Sequence, residues 1–338
     1  MIDVDIQNLP EWSTLPEGFT VRPAAAEDAP TLVALLRADE IAATGETSVS
    51  ITDVTEWFEG VRARERGVTR VVQRDADVVG VWRVYRNFDD KYWVQTIVDR
   101  TLDPHDLDRL WAAGLAWAEH TVIAIAAGLA VDSPRSELWV YENDALAHRQ
   151  AEAAGFVQVR AFVEMQVDLA EYTPPADART PVAIRRADIV AADSPDLRTM
   201  YEVITESFRD HFDFALRSFD DWVDGRLTDP LVATDHWYLA ELGGEPVGGL
   251  IGHNSYLESD NAGYIANIGV LRSGRGKGVA KALLHTSFVR YAADGRDAVK
   301  LHVDAESPTG ATHLYEAVGM YRRLVGFDFH KQLGSADG

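Results

Sequence analysis

One order of segment patterns occurs twice in this chain, and that repeat limits the fold more than any other feature. The first pass opens with strand-like "FTVRPA" (19–24). Two stretches at helical spacing follow, "APTLVALLRADE" (29–40) and "DVTEWFEGVRARE" (53–65). Three strand candidates come next: "TRVVQRD" (69–75), "DVVGVWRVYRN" (77–87) and "KYWVQTIVDR" (91–100). A long helix should run from Pro104 to near Gly128, since glycine is a favoured residue just past a helix end. Strand "SELWVYEN" (136–143), helix "ALAHRQAEAAG" (145–155) and strand "FVQVRAFVEMQVDL" (156–169) close this half. The second pass repeats the order with "VAIRRAD" (182–188), "DLRTMYEVITESF" (196–208) and "SFDDWVDGRL" (218–227). Strands "HWYLAEL" (236–242), "EPVGGLIGHNSYL" (245–257) and "YIANIGVL" (264–271) follow, then a helix from Gly276. Strand "AVKLHVDA" (298–305), helix "GATHLYEAVG" (310–319) and strand "RLVGFDFHKQL" (323–333) finish it.

Both halves thus read β-α-α-β-β-β-α-β-α-β, the repeat of a whole domain rather than a solenoid period. Three meandering strands followed by a β-α-β crossover imply a mixed, mostly antiparallel sheet flanked by helices. The expected class is α/β (α+β), with two tandem domains at 1–172 and 182–338. The proline-rich "EYTPPADARTP" (171–181) marks the joint, and 173–181 serves as linker.

The formal net charge is −22 and there is no cysteine. The acidic balance argues against a nucleic-acid binder, which needs a basic face, and favours cationic partners. Without cysteine there is neither a disulfide framework nor a thiol nucleophile. "MIDVDIQNLPEWSTLPEGF" lacks the basic and apolar regions of a signal peptide. "VIAIAAGLAV" (122–131), the longest apolar run, is short for a bilayer span. The expectation is a cytoplasmic protein with no membrane partner; composition leaves the oligomeric state open.

Against this acidic background, "RSGRGKGVAKALL" (272–284) gathers glycines and cations between a strand and a helix. Unbonded N–H groups at a helix start suit a phosphate or pyrophosphate, and glycine lets backbone approach it closely. A Walker A loop fails because Gly278 follows Lys277. A dinucleotide fingerprint fails because Val279 or Lys281 stands where glycine is required. The pattern Arg-x-x-Gly-x-Ala does fit, at Arg275, Gly278 and Ala280.

That pattern resembles the acyl-CoA motif of the Gcn5-related N-acetyltransferase (GNAT) family. "HVDAESPTGATHLYEAVGM" (302–320) is similar to the family's closing strand and helix, with Ser307 in place of its usual asparagine. The resemblance covers about 182–333. It implies that Arg275, Gly276, Lys277, Gly278, Val279, Ala280 and Lys281 wrap a CoA pyrophosphate. It also implies that Ile268, Gly269 and Val270 run along the pantetheine and that Ser307 contacts it. Tyr315 would act as general acid, and acetyl-CoA would be the cosubstrate of direct transfer to a small-molecule amine, with no metal. Tandem domains with an eroded first copy resemble the mycothiol-synthase branch of the family. That branch carries a glutamate in the strand before its CoA motif, where this sequence has Tyr264.

In the first half the corresponding loop is "VDRTLDPHDLDRL" (98–110), which has no glycine and four aspartates. Those would repel a pyrophosphate, so the first half is expected to be non-catalytic. For the base, Glu258, Asp260, His253, His302 and Asp304 are candidates. Asp210, Asp213, Asp220 and Asp221, with Glu258 and Asp260, are expected to draw a cationic acceptor. "RDHFDF" (209–214) offers His211 between two aspartates but no H-E-x-x-H pattern, and no G-x-S-x-G elbow occurs, which disfavours metal and serine-hydrolase chemistry. A non-catalytic acyl-CoA sensor and a protein-lysine acetyltransferase remain open alternatives.

Overall fold

The computed structural model describes residues 15–58, 67–88, 90–174, 182–212, 214–306 and 310–334. The strands are β1 (Phe19–Pro23), β2 (Gly67–Arg74), β3 (Asp77–Phe88), β4 (Lys91–Val98), β5 (Arg135–Tyr141) and β6 (Val157–Asp168). The second half supplies β7 (Val182–Arg186), β8 (Val232–Leu242), β9 (Glu245–His253), β10 (Ala262–Val270), β11 (Ala298–Asp304) and β12 (Tyr321–Gln332). The helices of the first half are α1 (Ala29–Thr44), α2 (Ile51–Thr55), α3 (Pro104–Gly128) and α4 (Ala145–Ala153). Those of the second are α5 (Pro195–Phe208), α6 (Phe219–Leu227), α7 (Leu257–Asp260), α8 (Val279–Ala293) and α9 (Ala311–Glu316). Among the described residues the order expected from the sequence is present, with a short additional helix, α7; of the helix expected over 53–65, residues 59–65 lie outside the described residues, as do 175–181 of the expected linker.

The chain divides into two units, and these are assembled differently from the halves 1–172 and 182–338. The first unit combines 1–162 with 324–338, and the second is 163–323. In the first, the strands run β1-β2-β3-β4-β5-β12; in the second, β6-β11-β10-β9-β8-β7. Each half thus gives part of its last strand to the other half's unit: 163–168 of β6 and 324–332 of β12. β12 pairs antiparallel with β5, from Gly326 opposite Tyr141 to Gln332 opposite Arg135. Periodicity along a strand records which residues face the core, not which neighbour the strand joins, so the exchange is invisible in the pattern.

In the first unit α3 is the core helix. Its length and composition would allow it to cross a membrane, yet Leu110, Trp111, Trp117 and Val122 are buried in the main apolar cluster. Gly114 lets α3 press on the sheet, since a Cβ there would come within 2.5 Å of Trp82. In the second unit α5 and α6 pack Leu197, Met200, Ile204 and Trp222 against Trp237, Leu239 and Ile251 of the sheet. α8 covers the other face, burying Leu283, Leu284, Phe288 and Tyr291.

Candidate active site

In the second unit β10 and β11 are paired in parallel only from Ala262 opposite Ala298 to Tyr264 opposite Lys300. Both strands continue, β10 to Val270 and β11 to Asp304. Along Asn267–Val270, β10 remains paired with β9 on its other side. Alternate main-chain N–H and C=O groups of Ile268, Gly269 and Val270 therefore have no strand partner toward the opening.

A β-bulge between Ile265 and Asn267 exchanges the faces of β10. Before it, Gly263 faces Tyr291 of α8; after it, Gly269 faces Ser207 and Ile204 of α5. A bulge commonly re-aims a strand in this way. Asn267 accepts a hydrogen bond from Arg226 Nη2 at 3.1 Å, and that guanidinium lies 4.0 Å from the Trp222 ring. Burial pushes the Arg226 pKa down to about 10.

β10 leads into a single 3-10 turn, Arg272–Gly274, and then into α8. The helix begins at Val279 rather than Gly276, because Gly276 and Gly278 have φ of 72° and 79°, a left-handed conformation that favours glycine. No side chain caps α8. Its first backbone bond runs from Ala282 N–H to the Gly278 carbonyl at 3.0 Å. The N–H groups of Val279, Ala280 and Lys281 consequently have no carbonyl of their own helix to meet. Arg275, Lys277 and Lys281 are exposed beside them. This donor set fits a pyrophosphate.

Tyr315 lies on α9 in the same unit. It is 7% exposed, and burial pushes its pKa up to about 12. Among the described residues its hydroxyl has no hydrogen-bond partner. Ser307 and Asp213 lie outside the described residues.

The acidic candidates are dispersed. Asp210 pairs with exposed Arg272 at 2.8 Å. Asp220 and Asp221 sit in the exposed first turn of α6, where Asp221 accepts from Ser218 Oγ at 2.6 Å. His253 is held by Asp229 at 3.1 Å and Ser255 at 2.6 Å.

At the apex of the opening stands a group that sequence reading missed. Glu164 of β6 is 4% exposed. Its Oε1 accepts from Arg323 at 2.6 Å and lies 3.7 Å from Lys300 Nζ. Its Oε2 accepts from the Tyr256 hydroxyl at 3.2 Å and lies 3.7 Å from His302 Nε2. Lys300 also pairs with Asp260 and sits 4.5 Å over the Tyr256 ring. The Tyr264 hydroxyl is 3.2 Å from His302 Nδ1. Desolvation lowers the His302 pKa, and Glu164 opposes that shift. Only the alternation of β6 hinted at Glu164; its partners come from the other half of the chain.

In the first unit the equivalent positions are closed. Asp103 caps α3 by accepting from His105 N–H at 2.9 Å, and Pro104 has no N–H to offer. Asp99 accepts from Thr101 N–H at 2.9 Å.

The profile of the Acetyltransferase (GNAT) family matches residues 197–320, spanning the bulge, the α8 loop and Tyr315. A GCN5-related N-acetyltransferase from Sphaerobacter thermophilus superposes with a TM-score of 0.76 at 26% identity, over 95% of this chain and 97% of that one. Residues 197–320 thus carry a match to the GNAT acetyltransferase family, and the fold around them is that of a GCN5-related N-acetyltransferase. The tandem arrangement recurs in a tandem GNAT protein from the clavulanic acid biosynthesis pathway. Its TM-score is 0.67 at 15% identity, over 94% of this chain and all of that one. In sequence, the chain is 30% identical over 215 residues to a mycothiol acetyltransferase from Mycolicibacterium gilvum. That match covers 60% of this chain and 64% of the relative.

Proposed function

We propose that this chain is an acetyl-CoA-dependent N-acetyltransferase that acts in the cytoplasm on a primary amine of a small molecule. The observation that carries the reading is the start of α8, where consecutive N–H groups lacking helix partners lie beside Arg275, Lys277 and Lys281. Acetyl-CoA would supply the acetyl thioester. Arg275 through Lys281 hold its pyrophosphate, and Ile268–Val270 present main-chain donors to the pantetheine and the acyl carbonyl. Ser307 stands where the family pattern contributes a further contact. Tyr315, protonated at neutral pH, donates a proton to the departing thiolate. No metal is needed for direct attack by an amine.

His302, neutral at pH 7 and backed by Glu164, accepts the proton from the incoming ammonium. Tyr264, in the position of the mycothiol-synthase glutamate, relays to it. The amine arrives as a cation, in keeping with a chain of net charge −22. The first unit, with its capped and acidic α3 start, does not bind acetyl-CoA productively. A panel of small amines, with acetyl-CoA and detection of free thiol, tests the reading. Turnover with at least one amine, abolished by Gly278→Trp, is the expected outcome. Acetyl-CoA binding with no turnover on any amine would instead favour a sensor.

A further inference from the structure

The first unit contains a cavity of about 340 Å³, near the small end of the roughly 300–1,000 Å³ typical of small-molecule pockets. It lies where β4 and β5 part. They are paired in parallel only from Lys91 opposite Arg135 to Trp93 opposite Glu137. Beyond that, Thr96 on one strand and Trp139 on the other line the gap.

Arg83 of β3 also lines it. Its guanidinium lies 4.3 Å from the centre of the Trp57 ring and 5.0 Å from that of Tyr85. Its Nε is buried with no hydrogen-bond partner, and among the described residues no carboxylate pairs with it. The other charged lining groups are already engaged. Asp39 and Asp144 share Arg100, at 2.6 Å and 2.5 Å. Glu40 accepts from Thr47 Oγ1 at 2.7 Å, Ser48 N–H at 2.8 Å and the Tyr141 hydroxyl at 2.8 Å. Two more lining residues bear buried polar atoms without partners, Thr96 Oγ1 and Trp111 Nε1.

We infer that this cavity binds a small carboxylic acid with a flat apolar body, its carboxylate seated on Arg83. A desolvated guanidinium is costly unless an anion pairs with it, and its planar fork matches a carboxylate in two-point fashion. Stacking between Trp57 and Tyr85 orients that fork. Aromatic walls such as Trp111 and Trp139 suit an apolar ring. Acetyl-CoA is not the occupant: Asp103 fills the α3 start, and Arg100 ties α1 to the start of α4 through Asp39 and Asp144. The inference concerns the first unit alone and stands or falls separately from the acetyl transfer assigned to the second.

The full-length protein is titrated calorimetrically with phenylacetate and indole-3-acetate, and with their uncharged amides. At least one acid is expected to bind at millimolar concentration or below. Its amide should bind more weakly by on the order of tenfold or more, the loss of one charge-assisted contact. Arg83→Gln should lose a similar factor and Arg83→Lys less, with melting curves confirming that each variant is folded. Saturating acetyl-CoA should leave the acid bound. If neither acid binds, if the amides bind equally well, if Arg83→Gln binds like the parent, or if acetyl-CoA displaces the acid, the inference is wrong. Should Arg83→Gln fail to fold, the contrast between acid and amide on the parent protein still decides.

Discussion

Glu164 is the side chain where fold stability and the proposed chemistry meet. Its carboxylate faces Arg323, Lys300 and His302 from a buried position. Removing one partner of such a buried set typically costs about 3–5 kcal/mol, because the opposite charges are left uncompensated. Glu164→Ala should therefore lower stability in urea by about that amount. Glu164→Gln, which keeps the shape, also tests the base. His302 titrates below its ordinary 6.5, and Glu164 is the group that raises it. Loss of that negative charge must lower the His302 pKa further. The acidic limb of kcat/KM, set by a base that must be neutral, should move to lower pH in Glu164→Gln. A limb that stays in place would separate Glu164 from the base. Tyr315→Phe keeps the buried ring and removes the proton, and turnover should fall about 10²–10⁴-fold. The raised Tyr315 pKa of about 12 keeps the acid protonated through neutral and mildly alkaline pH. Any alkaline loss of activity below pH 10 thus belongs to another group. The role proposed for Tyr315 could be read from the sequence because its motif is local. The Glu164 cluster could not, because its contacts come from residues more than ninety positions away.

Among the elements, β10 and its glycines carry the most information. A Cβ at Gly263 would lie 2.5 Å from the ring of Tyr291, which is fully buried. Overpacking of this kind costs about 1–3 kcal/mol. Gly263→Ala should accordingly lower the urea midpoint without changing the slope. At the mouth of the opening, Gly278 has φ 79° and stands at the start of α8. Gly278→Val should weaken acetyl-CoA binding through both backbone strain and blocked approach, seen as a higher Kd in calorimetry, and the strain should also lower the melting temperature. The glycine–cation loop announced itself because its signal is compositional and contiguous. The bulge at Ile265–Asn267 did not. Alternation along "YIANIGVL" reads as one continuous strand, and only pairing with β9 shows where the faces change. Likewise the aspartates near α5 and α6 suggested an acceptor cradle, but Asp210 and Asp221 are held by Arg272 and Ser218.

For the molecule as a whole, the twofold β-α-α-β-β-β-α-β-α-β order was readable, and the membership of its last strands was not. β12 completes the first unit's sheet and β6 the second's. Fragments cut at the joint, 1–174 and 175–338, would each lack the closing strand of their own unit. Expressed alone, each should melt well below the full chain, and mixing should restore a higher melting temperature. Independent, parent-like melting of both fragments would show that the exchange contributes nothing to stability. The exchange also bears on how the protein is made. Synthesis delivers residues 163–323, all that the second unit contains, before 324–332 leave the ribosome. Domains usually fold in order of emergence, N-terminal first. Here the order is reversed. The half translated first must wait with one sheet edge open until the final strand arrives, while the half translated later has everything it needs.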